Sequence, residues 1–213
     1  MIHAIGNSHT CFFRGTDTVT GKTWKQQLSD DRIPGYKTYN IGPSTACKFK
    51  EKHLAKVYEI MHVARIPPED PMLLVFGEID CRWHIGLRAE QDNQHIWDVV
   101  NRTVTEYFKG VGELRKRQNV VVWGVTPPRD STEANEEGCI YGNSILRFNI
   151  TRIWNQALME RCEAHRIPYA SIFWDLASNG HSCDEGYHID KIHLGQKAMK
   201  FARQELRHWE NNA

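Results

Sequence analysis

A chain of 213 residues suffices for one domain of ordinary size, with a core that needs neither disulfides nor metals to hold it. Its 27 Lys and Arg against 26 Asp and Glu leave a formal charge of +1, which supplies no global field for nucleic acid or an anionic membrane, so any partner must be recognised locally. No run approaches the roughly 20 apolar residues of a membrane span, and Met1 to Gly6 enters a strand-like run instead of a basic leader; the expectation is a cytoplasmic protein.

In chain order, short apolar runs fall at residues 2 to 5, 37 to 41, 72 to 76, 119 to 125 and 168 to 173, and each reads as a strand. Helical spacing follows the second run (Leu54, Val57, Tyr58, Met61) and the third (Trp97, Val100, Val104, Phe108, Val111, Leu114). Residues 143 to 165 repeat it with Ile145, Phe148, Ile153, Trp154, Leu158 and Cys162, and residues 195 to 209 close the chain with Ala198, Phe201, Ala202, Leu206 and Trp209. Strands alternating with helices imply parallel pairing through right-handed crossovers, hence a three-layer α/β/α sandwich on a five-stranded parallel sheet. No linker or repeat divides residues 1 to 213, so one domain is expected. Residues 11 to 36 and 126 to 141 read as long loops, and both follow strands.

Six cysteines, at 11, 47, 81, 139, 162 and 183, show no paired spacing and read as free thiols. The sequons at Asn101 and Asn149 fall in expected helices and read as chance. His181, Cys183, Asp184, His188, Asp190 and His193 gather near the C-terminus, but their irregular spacing matches no zinc pattern; neither a metal nor a cofactor is expected.

In open parallel sheets ligands bind beyond the carboxyl ends of the strands, so the residues after each run carry the functional signal. Gly6-Asn7-Ser8-His9 ends the first run and places a serine at a turn, where it either faces a pocket or caps the following helix. Asp190-Lys191-Ile192-His193 precedes the last helix. That spacing lets the carboxylate accept from the histidine Nδ1-H while Nε2 addresses a nucleophile. A capping aspartate and a surface histidine would also fit, but they leave the serine unexplained.

With Gly42 in Asn40-Ile41-Gly42-Pro43 and Gly77-Glu78-Ile79-Asp80 in between, the chain resembles the SGNH/GDSL hydrolases in block order and strand context. Their first block is usually Gly-Asp-Ser, their third Gly-x-Asn-Asp and their last Asp-x-x-His-Leu. The resemblance implies a flavodoxin-like SGNH fold and a serine esterase, with Ser8 as nucleophile, His193 as general base and acid, and Asp190 orienting it. It also implies an oxyanion hole from the N–H groups of Ser8 and Gly42. The third donor, an asparagine amide in the family, falls on Ile79 here, and losing one donor costs on the order of 3 kcal/mol.

Arg82 is the favoured replacement, with Asn40 and Asn7 as alternatives; a Glu78/Asp80/Arg82 ion-pair cluster beneath the site would serve structure alone. His9 and His84 stand beside the first and third blocks, so Asn7, His9, Asn40, Glu78, Asp80 and His84 are candidate substrate contacts. Trp83, Trp123 and Trp174 at strand ends suit either a sugar face or the core. Arg14 and Arg129, on the long loops, could meet an acidic substrate but read first as solvated charges. The expected partner is a small-molecule ester, with an acetylated carbohydrate as the best guess and neither nucleic acid nor membrane. An acyltransferase acting on a sugar hydroxyl and a non-catalytic binding module on the same fold are the competing readings.

Overall fold

The computed structural model describes residues 1–19, 24–26, 31–129, 139–177, 182–183 and 185–210, without the side chains of residues 185 and 208–210. All five apolar runs are strands: β1 (Ile2–Gly6), β2 (Tyr36–Asn40), β3 (Met72–Val75), β4 (Val120–Trp123) and β5 (Tyr169–Ala170). They pair in parallel in the order β2-β1-β3-β4-β5, which reverses direction at β1 and β3 and opens a crevice beyond their carboxyl ends. The register brings Gly6 opposite both Asn40 and Val75, so the loops that follow these three strands meet at one place.

Successive side chains of a strand point to opposite faces, and the two cores follow that alternation. Ile5, Met72, Leu74, Val120 and Val122 pack against α2 (Leu54–Ala64), α3 (Ile85–Gln91), α4 (Ile96–Arg115) and α5 (Ser144–His165). Ile2, Ala4, Leu73, Val75, Val121 and Trp123 pack instead against α1 (Cys11–Arg14), α6 (Phe173–Leu176) and α7 (Met199–Glu210). The helices therefore form two layers around the sheet, as the alternation of runs implies. Strands buried on both faces read as unbroken apolar stretches because neither face meets water.

Several expectations shift at the edges. β5 is two residues long, because Ser171 Oγ accepts from Phe173 N at 3.2 Å and turns the chain into α6. The segment from residue 11 begins with α1, whose Phe12 and Phe13 are core residues, so it is not all loop. Arg14, the last residue of α1, is buried and not solvated. Trp97 and Ile145, at the first turns of α4 and α5, are exposed although they keep the apolar spacing. None of the six cysteines is in a disulfide. No helix of the described residues is long and apolar enough to cross a membrane.

Close approach explains one glycine of the site. A Cβ on Gly6 would lie 2.0 Å from the Val75 carbonyl oxygen, so only glycine lets β1 run into the turn at this distance from β3.

Candidate active site

The chain leaves β1 through Asn7 and enters a single 3-10 turn, Ser8–Thr10. The cap of that turn is Asn7, whose Oδ1 accepts from His9 N at 3.0 Å, while Thr10 returns both its N–H and its hydroxyl to the Asn7 carbonyl. Ser8 is thus released from capping duty, and its side chain is directed elsewhere. Its Oγ lies 2.8 Å from His193 Nε2.

His193 comes from the other end of the chain. The loop before α7 folds back on itself, with Ile189 N donating to the His193 carbonyl and Gly195 N to the Tyr187 carbonyl. Inside this loop Asp190 Oδ1 accepts from the N–H groups of Ile192 and His193, at 2.8 and 2.7 Å, and Oδ2 lies 2.7 Å from His193 Nδ1. Burial alone would raise the Asp190 pKa, but the imidazole and the two backbone N–H groups outweigh it and hold the carboxyl well below its ordinary range. An ionised Asp190 fixes the tautomer with Nδ1 protonated, leaving Nε2 to accept from Ser8.

The arrangement can be compared with known proteins. No family model matches the chain, and no curated protein matches it by sequence. Solved structures do match. A GDSL-like lipase from Bacteroides thetaiotaomicron superposes with a TM-score of 0.58 at 12% identity, covering 99% of this chain and 87% of that one. A catalytic mutant of an acetylxylan esterase from Geobacillus stearothermophilus gives 0.57 at 12% identity, over 98% and 93%. A carbohydrate acetylesterase from Sinorhizobium meliloti gives 0.51 at 14% identity, over 99% and 97%. This is the SGNH hydrolase fold.

On that fold the segment after β3 holds the divergent block. Gly77 has a φ of 102°, and a Cβ there would lie 2.6 Å from the Trp154 ring, so the turn admits only glycine. Glu78 then faces back toward the serine turn, with Oε2 3.2 Å from His9 Nε2 and Oε1 accepting from Arg82 Nε at 2.6 Å. The His9 ring in turn lies against that of His193, 4.7 Å between centroids. Burial would raise the Glu78 pKa, yet His9 and Arg82 outweigh it and bring it down to about 2; burial keeps the His9 pKa low against the pull of Glu78. Glu78 is therefore the charged centre of the row, answered by Arg82.

These contacts bear on two expectations. Arg82, the favoured third donor, gives its Nε to Glu78 and its Nη1 to the Cys139 carbonyl, at 2.9 Å. Asp80 is fully buried and lines neither cavity beside Ser8 and His193; its Oδ2 accepts from Ala46 N at 2.7 Å, which ties the third block to the loop carrying Gly42. Burial raises its pKa to about 6 against those backbone donors.

The remaining residues divide as follows. Asn40 Oδ1 accepts from Gly42 N at 2.9 Å and sets the left-handed turn at Gly42, φ 85°. Asn7 Nδ2 is buried with no partner among the described residues, at the wall of a small, partly open cavity that His9, Glu78, Phe12, Val75 and Trp123 also line. Trp123 is core, edge-on to Phe13; Trp83 is edge-on to Tyr141, and Trp174 is exposed. His84 lines neither cavity beside the triad. Arg129 lies on a cavity wall with Nη1 3.4 Å from the Asp190 carbonyl.

His188, noted in the sequence only as part of an irregular cluster, is mostly buried and faces His9, Arg129, Asp190 and His193; burial, with His9 and Arg129, pushes its pKa down to about 4. No spacing rule marks it, because the bend of residues 187–195 brings it inward. His181, Asp184 and Asp130 lie outside the described residues, and among those described no His/Cys/Asp/Glu group has the arrangement to hold a metal.

Proposed function

We propose that this chain is a serine esterase in which Ser8 carries the acyl group, acting on small acyl esters of a carbohydrate. The observation behind it is the unbroken row Ser8 Oγ, His193 imidazole, Asp190 carboxylate, joined at 2.8 and 2.7 Å. His193 Nε2 takes the Ser8 proton as Oγ attacks the ester carbonyl, and Asp190 stabilises the imidazolium that forms. The N–H groups of Ser8 and Gly42 receive the oxyanion. His193 then protonates the departing alcohol, and water, deprotonated by the same Nε2, releases the acid from Ser8.

The Gly42 N–H is held by Asn40 in the free protein, so the oxyanion must displace or share that bond. With Ile79 contributing no amide and Arg82 Nε held by Glu78, the backbone supplies two donors, and Asn7 Nδ2, buried with no partner among the described residues, is the amide left for a third. The carbohydrate part of the reading is supported by what two of the structural neighbours act on, acetylxylan and carbohydrate acetates. Hydrolysis of p-nitrophenyl acetate by the wild type, abolished in Ser8→Ala, is the expected result. Equal rates in both proteins would overturn the proposal.

A further inference from the structure

The two cavities beside the triad are small. The one lined by Asn7 and His9 holds about 20 Å³ and the one lined by Arg129 and Lys191 about 30 Å³, room for one small group each. An acyl group fits such a space, and a sugar ring does not. The body of a carbohydrate ester therefore rests elsewhere on the surface.

A groove of about 350 Å³ lies one strand away, over the sheet edge at β5. Gly124, in the wall of the first cavity, packs against two residues of this groove: a Cβ on it would lie 2.5 Å from Tyr169 Oη and 2.6 Å from Ser171 Oγ. One side of the groove is α5, where Arg152, Gln156 and Met159 recur at helical spacing; the other is Trp174 and Asp175 of α6 with Glu205 of α7. From Arg152 to Met159 the helix rises about 10 Å, the span of roughly two linked sugar rings. A concavity of similar size, about 380 Å³, lined by Arg115, Lys116 and His165, sits at the amino ends of the strands and faces away from Ser8.

Two of the six large hydrophobic side chains exposed among the described residues, Trp174 and Met159, line the groove over β5. Trp174 is 67% exposed, while the rings that hold it edge-on, Phe173 and Phe148, are buried, at 5.0 and 6.4 Å between centroids. The indole is thus a fixed plate presented to solvent, and such a plate receives the C–H face of a sugar. Beside it, Asp175, Glu205 and Gln156 offer hydrogen-bond acceptors and Arg152 offers donors, which suits a ring of hydroxyls, each both donor and acceptor. Two carboxylates beside one guanidinium do not select an anion. A peptide adding to the sheet would find only the two residues of β5 to pair with, too short an edge for strand addition.

We propose that this groove binds a neutral glycan chain, the polymer whose acyl substituent reaches Ser8. This rests on the carbohydrate-ester reading and adds where the sugar backbone lies. A chain stacked on Trp174 keeps its neighbouring substituents one strand away from the catalytic cavity, so the groove raises the local concentration of ester at Ser8 without touching the reacting atoms.

Titration calorimetry with unacetylated β-1,4-linked hexasaccharides of xylose, glucose and mannose reads this binding apart from any ester chemistry. At least one should bind the wild type with a Kd below about 1 mM. Binding should weaken about tenfold or more in Trp174→Ala and in Met159→Glu, both exposed positions, with Trp174→Tyr recovering most of the loss. No binding of any of the three sugars, or an affinity that survives either Trp174→Ala or Met159→Glu, would overturn the proposal. A wild-type dimer that Trp174→Ala disperses would also overturn it, since the groove then holds a second copy of the chain. Fluorophosphonate labelling of wild-type Ser8, run in parallel, tests the esterase reading by itself: labelling without glycan binding removes only the groove, and glycan binding without labelling removes only the hydrolase.

Discussion

The His9 and His193 rings lie 4.7 Å apart and tilted by 33°, so the residue that follows Ser8 forms a side wall of the His193 imidazole. His9 is itself steadied through Nε2 by Glu78, and Glu78 by Arg82. The divergent third block is thus linked through Glu78 and His9 to the position of the imidazole.

His9→Ala removes that wall and is expected to lower kcat/KM on p-nitrophenyl acetate about tenfold or more, since small displacements of a catalytic group are costly. His9→Phe keeps a ring against His193 while losing the bond to Glu78, and should recover most of the loss. Steady-state kinetics of the pair decide between ring packing and hydrogen bonding.

The position aligned with the family's oxyanion asparagine holds Ile79, half-buried at the end of the Glu78 turn. Ile79→Asn supplies an amide there and is expected to raise kcat by up to about a hundredfold, the worth of one oxyanion donor. An unchanged kcat would mean that the hole is already complete.

Glu78 has its pKa lowered from 4.5 to about 2, burial being outweighed by His9 and Arg82. A depressed carboxylate contributes stability that is full above its unfolded pKa and lost as pH falls through the folded one. Wild type should therefore lose roughly 3 kcal/mol relative to Glu78→Gln between pH 4.5 and 2, measured by urea unfolding. Asp80, raised by burial to about 6, runs the other way and contributes stability at low pH that is lost as pH rises through that value, so the variant difference is the quantity to follow.

Two glycines make a matched pair. Gly77→Ala combines a φ of 102° with a clash against Trp154 and should cost about 3 kcal/mol. Gly112→Ala, in the last turn of α4 with open space around it, should gain about 0.5 kcal/mol. Chemical denaturation of both measures the contrast.

The layers were legible because strands buried on both faces, such as β3 and β4, leave an apolar run that no loop mimics. The Asp190–His193 pairing was legible because a three-residue spacing brings both ring and backbone of His193 to one carboxylate. Arg82 was legible only in part: an i,i+4 spacing from Glu78 shows that the two can meet, but not that Nη1 also reaches the Cys139 carbonyl. Arg147 and His188 gave no signal, since one belongs to a helix and the other to an irregular bend, and only the folded chain brings Arg147 near Arg82 and Glu78 and His188 near His9 and His193. β5 was overestimated because Ile172 and Phe173 are apolar for α6 and the core, not for the sheet.

The central claim is that Ser8 is a nucleophile activated by His193. Intact-mass analysis after exposure to a fluorophosphonate measures it most directly. The wild type should gain one adduct, mapped to Ser8 by peptide sequencing and lost in Ser8→Ala, with labelling strongly slowed in His193→Ala. A wild type that gains no adduct, or one whose adduct persists in Ser8→Ala, would contradict the account.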